Sequence, residues 1–207
     1  MTRRPTPKPS DEEAARSHAH DQFMISRAEA INAYAECEFY LADLFHLLLG
    51  SERRRAFVAF AAVMDNRSRL RMIATLLQIS YGSEYDKFFD SIIGKLEGIS
   101  STRNKIVHWA SHHLRRSDKP FNAKTDVVLA EHPNMYGDGR LFKYDLDDFA
   151  VRTRFYSLLL FYFTCYLKFP DDSFGDPNKR PWHDIFHEEV TYPPPEDHPL
   201  HRTHKKS

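Results

Sequence analysis

Apolar residues recur every three or four positions along most of the chain, a spacing that places them on one face of a helix. Gly50 can end the first of these helices, Asp145 can cap the last one and Pro170 can end it. Amphipathic helices bury their apolar faces against one another. The sequence therefore predicts an all-α protein, a bundle of four main helices. The predicted helices cover residues 21–49, 52–80, 84–113 and 146–169.

A short stretch after the third helix departs from this spacing. Residues 125–131 have β character, with three consecutive branched apolar side chains, and residues 140–144 can return as a second strand. Proline, asparagine and glycine residues between the two segments favour a turn. We therefore expect a small inserted β-hairpin at about residues 125–144.

The two ends of the chain differ in composition from its centre. Residues 1–20 are rich in proline and charge and lack an apolar core, so we expect a flexible segment and no signal peptide. Residues 170–207 predict a Pro/His-rich C-terminal tail, partly docked through a short helix around residues 182–189 and otherwise mobile. The helical domain is expected over residues 21–169. The most apolar run, residues 155–169, is too short to cross a bilayer, so we expect no membrane association.

Composition excludes some functions. Lys plus Arg and Asp plus Glu number 29 each, so net charge neither favours nor opposes a polyanionic partner. Cys37 and Cys165 lie in apolar helical patterns, which is typical of a reducing compartment, and we expect a cytoplasmic protein. The chain has no glycine-rich phosphate loop and no nucleophile elbow, which argues against kinases, dehydrogenases and α/β-hydrolases. We expect no cofactor.

The most informative pattern is residues 103–108, Arg-Asn-Lys-Ile-Val-His, in the third predicted helix. The guanidinium of Arg103 can fork onto phosphate oxygens, and the imidazole of His108 can transfer a proton near neutral pH. Asn104 and His108 are four residues apart and share one helical face, whereas Arg103 lies off that face and reaches back with its long side chain. These residue types predict a site for a phosphodiester.

Weak helix formers precede this segment. Gly94, Gly98 and the residues Ser100 to Thr102 lower helix propensity, so we expect a kink or break just before Arg103. If the helix restarts near residue 101, Arg103 and Asn104 lie in its first turn, where backbone amides and the helix dipole favour an anion.

Residues 103–108 resemble the R-x(4–6)-H signature of the HEPN superfamily, whose members are small all-α proteins and include many metal-independent endoribonucleases. Arg103 and His108 match the two ends of the signature, and a polar residue follows the arginine as the signature favours. In the first helix, Glu38 has leucines three and six residues later, which resembles the acidic-residue-plus-leucine pattern of many members. Trp109 departs from the pattern, because relatives often have glycine after the histidine.

The resemblance implies a role for each residue. His108 would be the general acid or base, Arg103 the phosphate clamp and Asn104 an orienting hydrogen-bond group. Glu38 would support the site by pairing with Arg103 or by orienting His108, and Glu36 is the nearby alternative. No metal would be needed.

Cleavage of RNA needs more groups than one motif provides. It requires a base for the ribose 2′-hydroxyl, an acid for the 5′-oxygen and cations for the phosphorane charge. A homodimer that joins two motifs across a two-fold axis would provide two of each, and the resembled family is usually built in this way. Arg115 and Arg116, which follow the motif, are the expected RNA contacts. The implied setting is RNA restriction by a toxin or phage-defence component, with an antitoxin or regulatory protein as a further partner.

Two other functions stay open. A binding module of the same fold, without turnover, would hold a nucleotide, RNA or a protein partner. The endoribonuclease requires Arg103 and His108 to face a shared, open cleft, whereas in the binding module they would face a packed interior. A metal enzyme would use the histidine-rich C-terminal segment, in which His183 and His187 are four residues apart.

Overall fold

The structure, a computed structural model, describes residues 10–114, 120–131, 139–169 and 178–201. These residues form six helices and one antiparallel pair of short strands, which agrees with the predicted all-α class. None of the helices in these ranges is long and apolar enough to cross a membrane. The elements are α1 (Asp11–Leu49), α2 (Arg53–Ala62), α3 (Asn66–Tyr81), α4 (Asp86–His108), β1 (Ala110–His113), β2 (Val127–Ala130), α5 (Lys143–Lys168) and α6 (Trp182–Phe186).

Helix α1 begins ten residues before its predicted start at Asp21. The Ser10 hydroxyl accepts a hydrogen bond from the Glu13 amide at 3.3 Å, and the Glu13 carboxylate accepts one from the Ser10 amide at 2.8 Å. This capping box stabilises the polar N-terminal turns of α1, which apolar periodicity does not reveal. Of the segment predicted to be flexible, residues 11–20 are therefore helical, and residues 1–9 lie outside the described ranges.

The predicted second helix is two helices, α2 and α3, separated by three residues. The Asp65 carboxylate caps α3, because it accepts hydrogen bonds from the Ser68 amide at 2.8 Å and the Ser68 hydroxyl at 2.6 Å. Arg69 Nε donates to the Val63 carbonyl at 2.6 Å and so satisfies an acceptor at the end of α2. Met64, which the apolar pattern assigns to the buried stripe, is 91% exposed in the break.

Helix α4 is continuous up to His108, so the predicted break before Arg103 is wrong. Its apolar residues are buried on one face, and this packing outweighs the weak helix propensity of its glycines. A Cβ added to Gly94 or Gly98 would meet nothing within 4 Å, so both glycines lie on open surface. The helix ends five residues before its predicted end at His113. The buried residues of α4 are Phe88, Phe89, Ile92, Leu96, Ile99 and Ile106.

The residues after α4 form strand β1, which the sequence pattern assigns to the helix. β1 pairs with β2 in an antiparallel register that places Ala110 opposite Ala130. The predicted return strand at 140–144 reduces to one bridge, in which the Leu129 and Leu141 backbones exchange hydrogen bonds of 2.8 and 3.0 Å. The position of β2 is thus as predicted, but its main partner is β1, because a strand partner is chosen by tertiary contacts that local pattern does not contain.

Helices α1 and α5 lie side by side and run in the same direction. Cys37 Sγ donates to the Thr153 carbonyl at 3.4 Å, and further along both helices the Tyr40 and Phe161 rings are 5.4 Å apart. Both helices contribute many of the buried residues, so their contact forms the centre of the core.

Helix α5 begins at Lys143, three residues before its predicted start. Asp145 lies inside the first turn, where its carboxylate accepts a hydrogen bond from the Phe142 amide at 2.8 Å. Asp145 therefore supports the start of α5 as expected, but from a position within the helix and not as the residue that precedes it.

The described C-terminal residues, 178–201, pack onto the helices. Helix α6 buries Trp182, whose ring stacks on Tyr162 at 4.4 Å, and Phe186, whose ring lies 5.0 Å from Phe88. The short helix expected around residues 182–189 is thus present as α6. The residues after it, expected to be mobile, are packed as far as residue 201. Buried residues beyond α6 are Val190, Pro194, His198 and Leu200.

Candidate functional site

The residues of the motif occupy the last two turns of α4. Asn104 and His108 are exposed, and Arg103 is half-buried. Because α4 does not break, these residues lie at the C-terminal end of a helix, where the dipole favours cations. The prediction that Arg103 and Asn104 form an anion site in a first helical turn is therefore wrong. A phosphate at this end must be attracted by side chains such as Arg103 and Lys105.

The Arg103 guanidinium lies between two neighbouring side chains. Its Nη1 donates to Asn104 Oδ1 at 3.2 Å, and its Cζ is 5.2 Å from the centroid of the Tyr34 ring on α1. Burial raises the pKa of the Tyr34 hydroxyl and Glu38 raises it further, while the Ser100 hydrogen bond and the Arg103 charge oppose the shift. Tyr34 is therefore a neutral ring at physiological pH, and it orients Arg103 beside the exposed Asn104 amide.

The His108 imidazole is exposed, and within the described ranges no hydrogen bond or ion pair involves it. Its position relative to Asn104 is set by the backbone, since the two residues are one turn apart in an unbroken helix. Whatever fixes the end of α4 therefore also fixes His108.

Arg27 of α1 binds this end of α4, and sequence reasoning missed it. Its Nε donates to the Ile106 carbonyl at 2.8 Å, and its Nη2 donates to the carbonyls of Val107 at 2.9 Å and Trp109 at 3.1 Å. The available signal was an arginine on the face of α1 that is otherwise apolar, with buried Phe23 four residues earlier. A charged residue on a buried face requires polar partners.

Glu38 pairs with an arginine of α3, whereas the resemblance implied a role beside Arg103 or His108. Its carboxylate lies 3.4 Å from Arg69 Nη1, and the Arg69 side chain is 17% exposed. An ion pair of Glu38 with Arg103 is not among the contacts of the described residues. The alternative residue, Glu36, accepts a hydrogen bond from the Ser157 hydroxyl at 3.5 Å on α5. Among the described residues, Glu38 raises the pKa of Tyr34, and Tyr34 in turn contacts Arg103.

The remaining sequence-based assignments concern residues next to the motif. Arg115 and Arg116, the expected RNA contacts, lie outside the described residues. Trp109, the departure from the family pattern, is half-buried, and Lys105 Nζ lies 5.2 Å from its ring centroid. A Cβ added to Gly139 would lie 3.2 Å from Trp109 Cη2, so this ring packs closely on the segment that leads into α5.

The C-terminal histidines have structural contacts. His183 Nδ1 lies 2.8 Å from the Tyr166 hydroxyl, and His187 Nε2 lies 3.6 Å from the Glu84 carboxylate. The buried His198 accepts a hydrogen bond from the Leu200 amide at 3.0 Å. Across the part of the chain that the structure describes, no group of three or more His, Cys, Asp or Glu residues is arranged to hold a metal ion.

His113, at the end of β1, predicts a dependence of stability on pH. Its ring stacks on that of His20 at 5.3 Å, and burial, then the charges of His20 and Arg16, lower the pKa of His113 below 6.5. As the pH decreases, the unfolded chain therefore takes up the proton at a higher pH than the folded protein. The contribution of His113 to the free energy of unfolding is fully present above pH 6.5 and is lost as the pH falls through that value. Thermal unfolding midpoints measured from pH 8 to pH 5 should decrease less in His113→Gln than in wild type.

The exposed His18 provides the control for this prediction, because His18→Gln should retain the wild-type pH dependence. Equal pH dependence of His113→Gln and wild type would show that the pKa of His113 is not lowered as described.

No family model, no curated protein and no solved structure matches this chain. The resemblance to the HEPN superfamily therefore rests on the order of the helices, on residues 103–108 and on Glu38 with the leucines that follow it.

Proposed function

We propose that this protein is a HEPN-like, metal-independent endoribonuclease that acts as a homodimer. The observation that supports this proposal most directly is the shared exposure of Asn104 and His108 at the end of α4, with the Arg103 guanidinium hydrogen-bonded to Asn104. A phosphate clamp, a hydrogen-bond donor and a proton-transfer group are then available to one bound phosphodiester. The mostly helical fold is compatible with a HEPN-like bundle.

The proposed reaction cleaves the P–O5′ bond. A neutral His108 removes the proton from the ribose 2′-hydroxyl, and the 2′-oxygen attacks the phosphorus. The 5′-oxygen leaves and takes a proton from a second, protonated imidazole, so that the products are a 2′,3′-cyclic phosphate and a 5′-hydroxyl. Arg103 contacts the non-bridging oxygens, whose charge increases in the transition state.

A second copy of the chain completes this site in the proposal. One motif provides one imidazole, whereas the reaction uses a base and an acid. Two motifs joined across a two-fold axis provide both, together with two Arg103 guanidinium groups. We also propose a toxin or phage-defence setting with an antitoxin or regulatory partner in the cytoplasm. That part rests on the sequence resemblance.

A non-catalytic dimer that binds RNA or a nucleotide is the second candidate. It is favoured by the isolation of the imidazole, because the described residues of one chain place no second acid or base in contact with His108. The same exposed groups would then bind phosphate without transferring a proton.

Cleavage of a mixed RNA substrate in EDTA tests the proposal. Wild-type protein should release fragments with 2′,3′-cyclic phosphate ends, and Arg103→Ala should lower kcat/KM by about 10²- to 10³-fold, as expected when one donor to a developing oxyanion is lost. Arg103→Lys should recover only part of this loss, since an ammonium cannot form the fork. Fragment ends are identified by mass spectrometry.

Lys95, exposed on the same helix, provides the matched control, and Lys95→Ala should cleave like wild type. Cleavage that needs a divalent cation, or that persists in Arg103→Ala, would refute the catalytic assignment. RNA binding without cleavage by wild-type protein would favour the second candidate.

A further inference from the structure

We propose that Arg27 is the positioning residue of this site, because it fixes the end of α4 and thereby sets where the His108 imidazole lies relative to Arg103 and Asn104. The kinetic consequence of this inference rests on the proposed ribonuclease function. The structural consequence rests on the hydrogen bonds of Arg27 alone.

Three backbone carbonyls of one short segment converge on the Arg27 guanidinium. The last carbonyls of a helix have no partner within the helix and must be satisfied from elsewhere. The Lys105 carbonyl accepts from the Trp109 amide at 2.9 Å, and Arg27 binds the carbonyls of Ile106, Val107 and Trp109 at 2.8, 2.9 and 3.1 Å. Arg27 therefore joins the end of α4 and the residue that leads into β1 to the middle of α1.

His108 is the residue most affected by this contact. Arg27 binds the carbonyls of the residues immediately before and after it, Val107 and Trp109. The His108 side chain is exposed and has no hydrogen-bond partner of its own among the described residues. Arg103, by contrast, lies more than one turn earlier, inside the helix, and contacts Tyr34. Loss of the Arg27 contact would thus move His108 while leaving Arg103 in place.

The geometry of the contact requires an arginine. A guanidinium is planar and presents several N–H donors in fixed directions, so one side chain reaches three carbonyls at once. A lysine at position 27 would keep the positive charge beside the negative end of the α4 dipole but could not form the fork. Arg27→Lys therefore separates the effect of geometry from that of charge, and Arg27→Gln removes both.

Two readouts test the role of Arg27 in the full-length protein. The ring signals of His108 in NMR spectra, assigned by comparison with His108→Gln, should shift in Arg27→Lys and Arg27→Gln while the ring signals of His183 do not. The kcat for RNA cleavage in EDTA should decrease by up to about 10²-fold, the cost of a displacement of about 1 Å, with a much smaller change in KM. All measurements are made at a temperature at which circular dichroism shows each variant to be folded.

Ser91→Ala is the control for loss of stability alone. It removes the hydroxyl that accepts a hydrogen bond from the Val190 amide near the start of α4, far along the helix from His108, so it should lower the thermal midpoint without changing kcat or the His108 ring signals. Unchanged His108 signals in both Arg27 variants, or wild-type kcat in Arg27→Lys, would overturn the proposal. If Arg27→Gln does not fold, Arg27→Lys decides alone. If wild-type protein cleaves no RNA, the proposed function fails, and the NMR comparison still decides whether Arg27 positions His108.

Discussion

Replacement of His108 with alanine is expected to lower kcat for RNA cleavage by about 10²- to 10⁴-fold, the range typical for loss of a general acid or base. In the proposed dimer this substitution removes the base from one motif and the acid from the other, which places the effect near the upper end of that range. The folded state should be unaffected within about 0.5 kcal/mol, because the His108 side chain is exposed and has no hydrogen-bond partner among the described residues. Single-turnover cleavage of a defined RNA in EDTA measures the loss.

His18→Ala is the matched control for this substitution, since His18 is also an exposed histidine on a helix but lies outside the motif. Its kcat should equal that of wild type. Cleavage by His108→Ala at the wild-type rate would exclude His108 as the proton-transfer group and would point to a contaminating nuclease or to another site.

Mixing the two proteins tests whether two copies share the reaction. If each active site uses His108 from both copies, an excess of His108→Ala should inhibit wild-type protein as mixed dimers form. After subunit exchange, the loss of activity should increase with the fraction of wild-type chains that are in mixed dimers, which the ratio of the two proteins sets. Activity that stays proportional to the amount of wild-type protein would mean that each chain acts alone.

Replacement of Trp182 with alanine should lower the free energy of unfolding by about 3–5 kcal/mol, the usual cost of removing a large buried aromatic side chain. Trp182 is 1% exposed, stacks on Tyr162 at 4.4 Å and lies 5.3 Å from the Phe186 ring. The substitution leaves a cavity between α5 and α6, and it removes one of the contacts that anchor residues 178–201. Urea unfolding followed by circular dichroism measures the change, and limited proteolysis should cut these C-terminal residues faster than in wild type.

Phe169→Ala is the control, because this aromatic residue is close in sequence but 55% exposed. Its substitution should change the free energy of unfolding by no more than about 0.5 kcal/mol. Equal costs for Trp182→Ala and Phe169→Ala would mean that the C-terminal residues do not contribute to the core in the way described.

Helix α4 illustrates which features of a helix a sequence can predict and which it cannot. Its buried stripe and the approximate course of the helix follow from apolar periodicity, since that pattern reports which face of a helix is buried. Its continuity through Gly98 and its end at His108 do not, because propensity is a weak local preference that packing overrides. The error in the helix end assigned residues 110–113 to the wrong element, and the predicted break before Arg103 assigned the motif to the wrong electrostatic end of a helix.

The sequence by itself determined the helical character of this protein, the position of β2 and the chemistry that Arg103, Asn104 and His108 can perform, because periodicity and side-chain type are local properties. Only the tertiary structure decided which groups meet. Arg27 binds the carbonyl of Ile106, which lies 79 residues further along the chain. Glu38 pairs with Arg69 in preference to Arg103. Such partners are selected by the packing of α1 against α3 and α4, and no spacing along the chain contains that information.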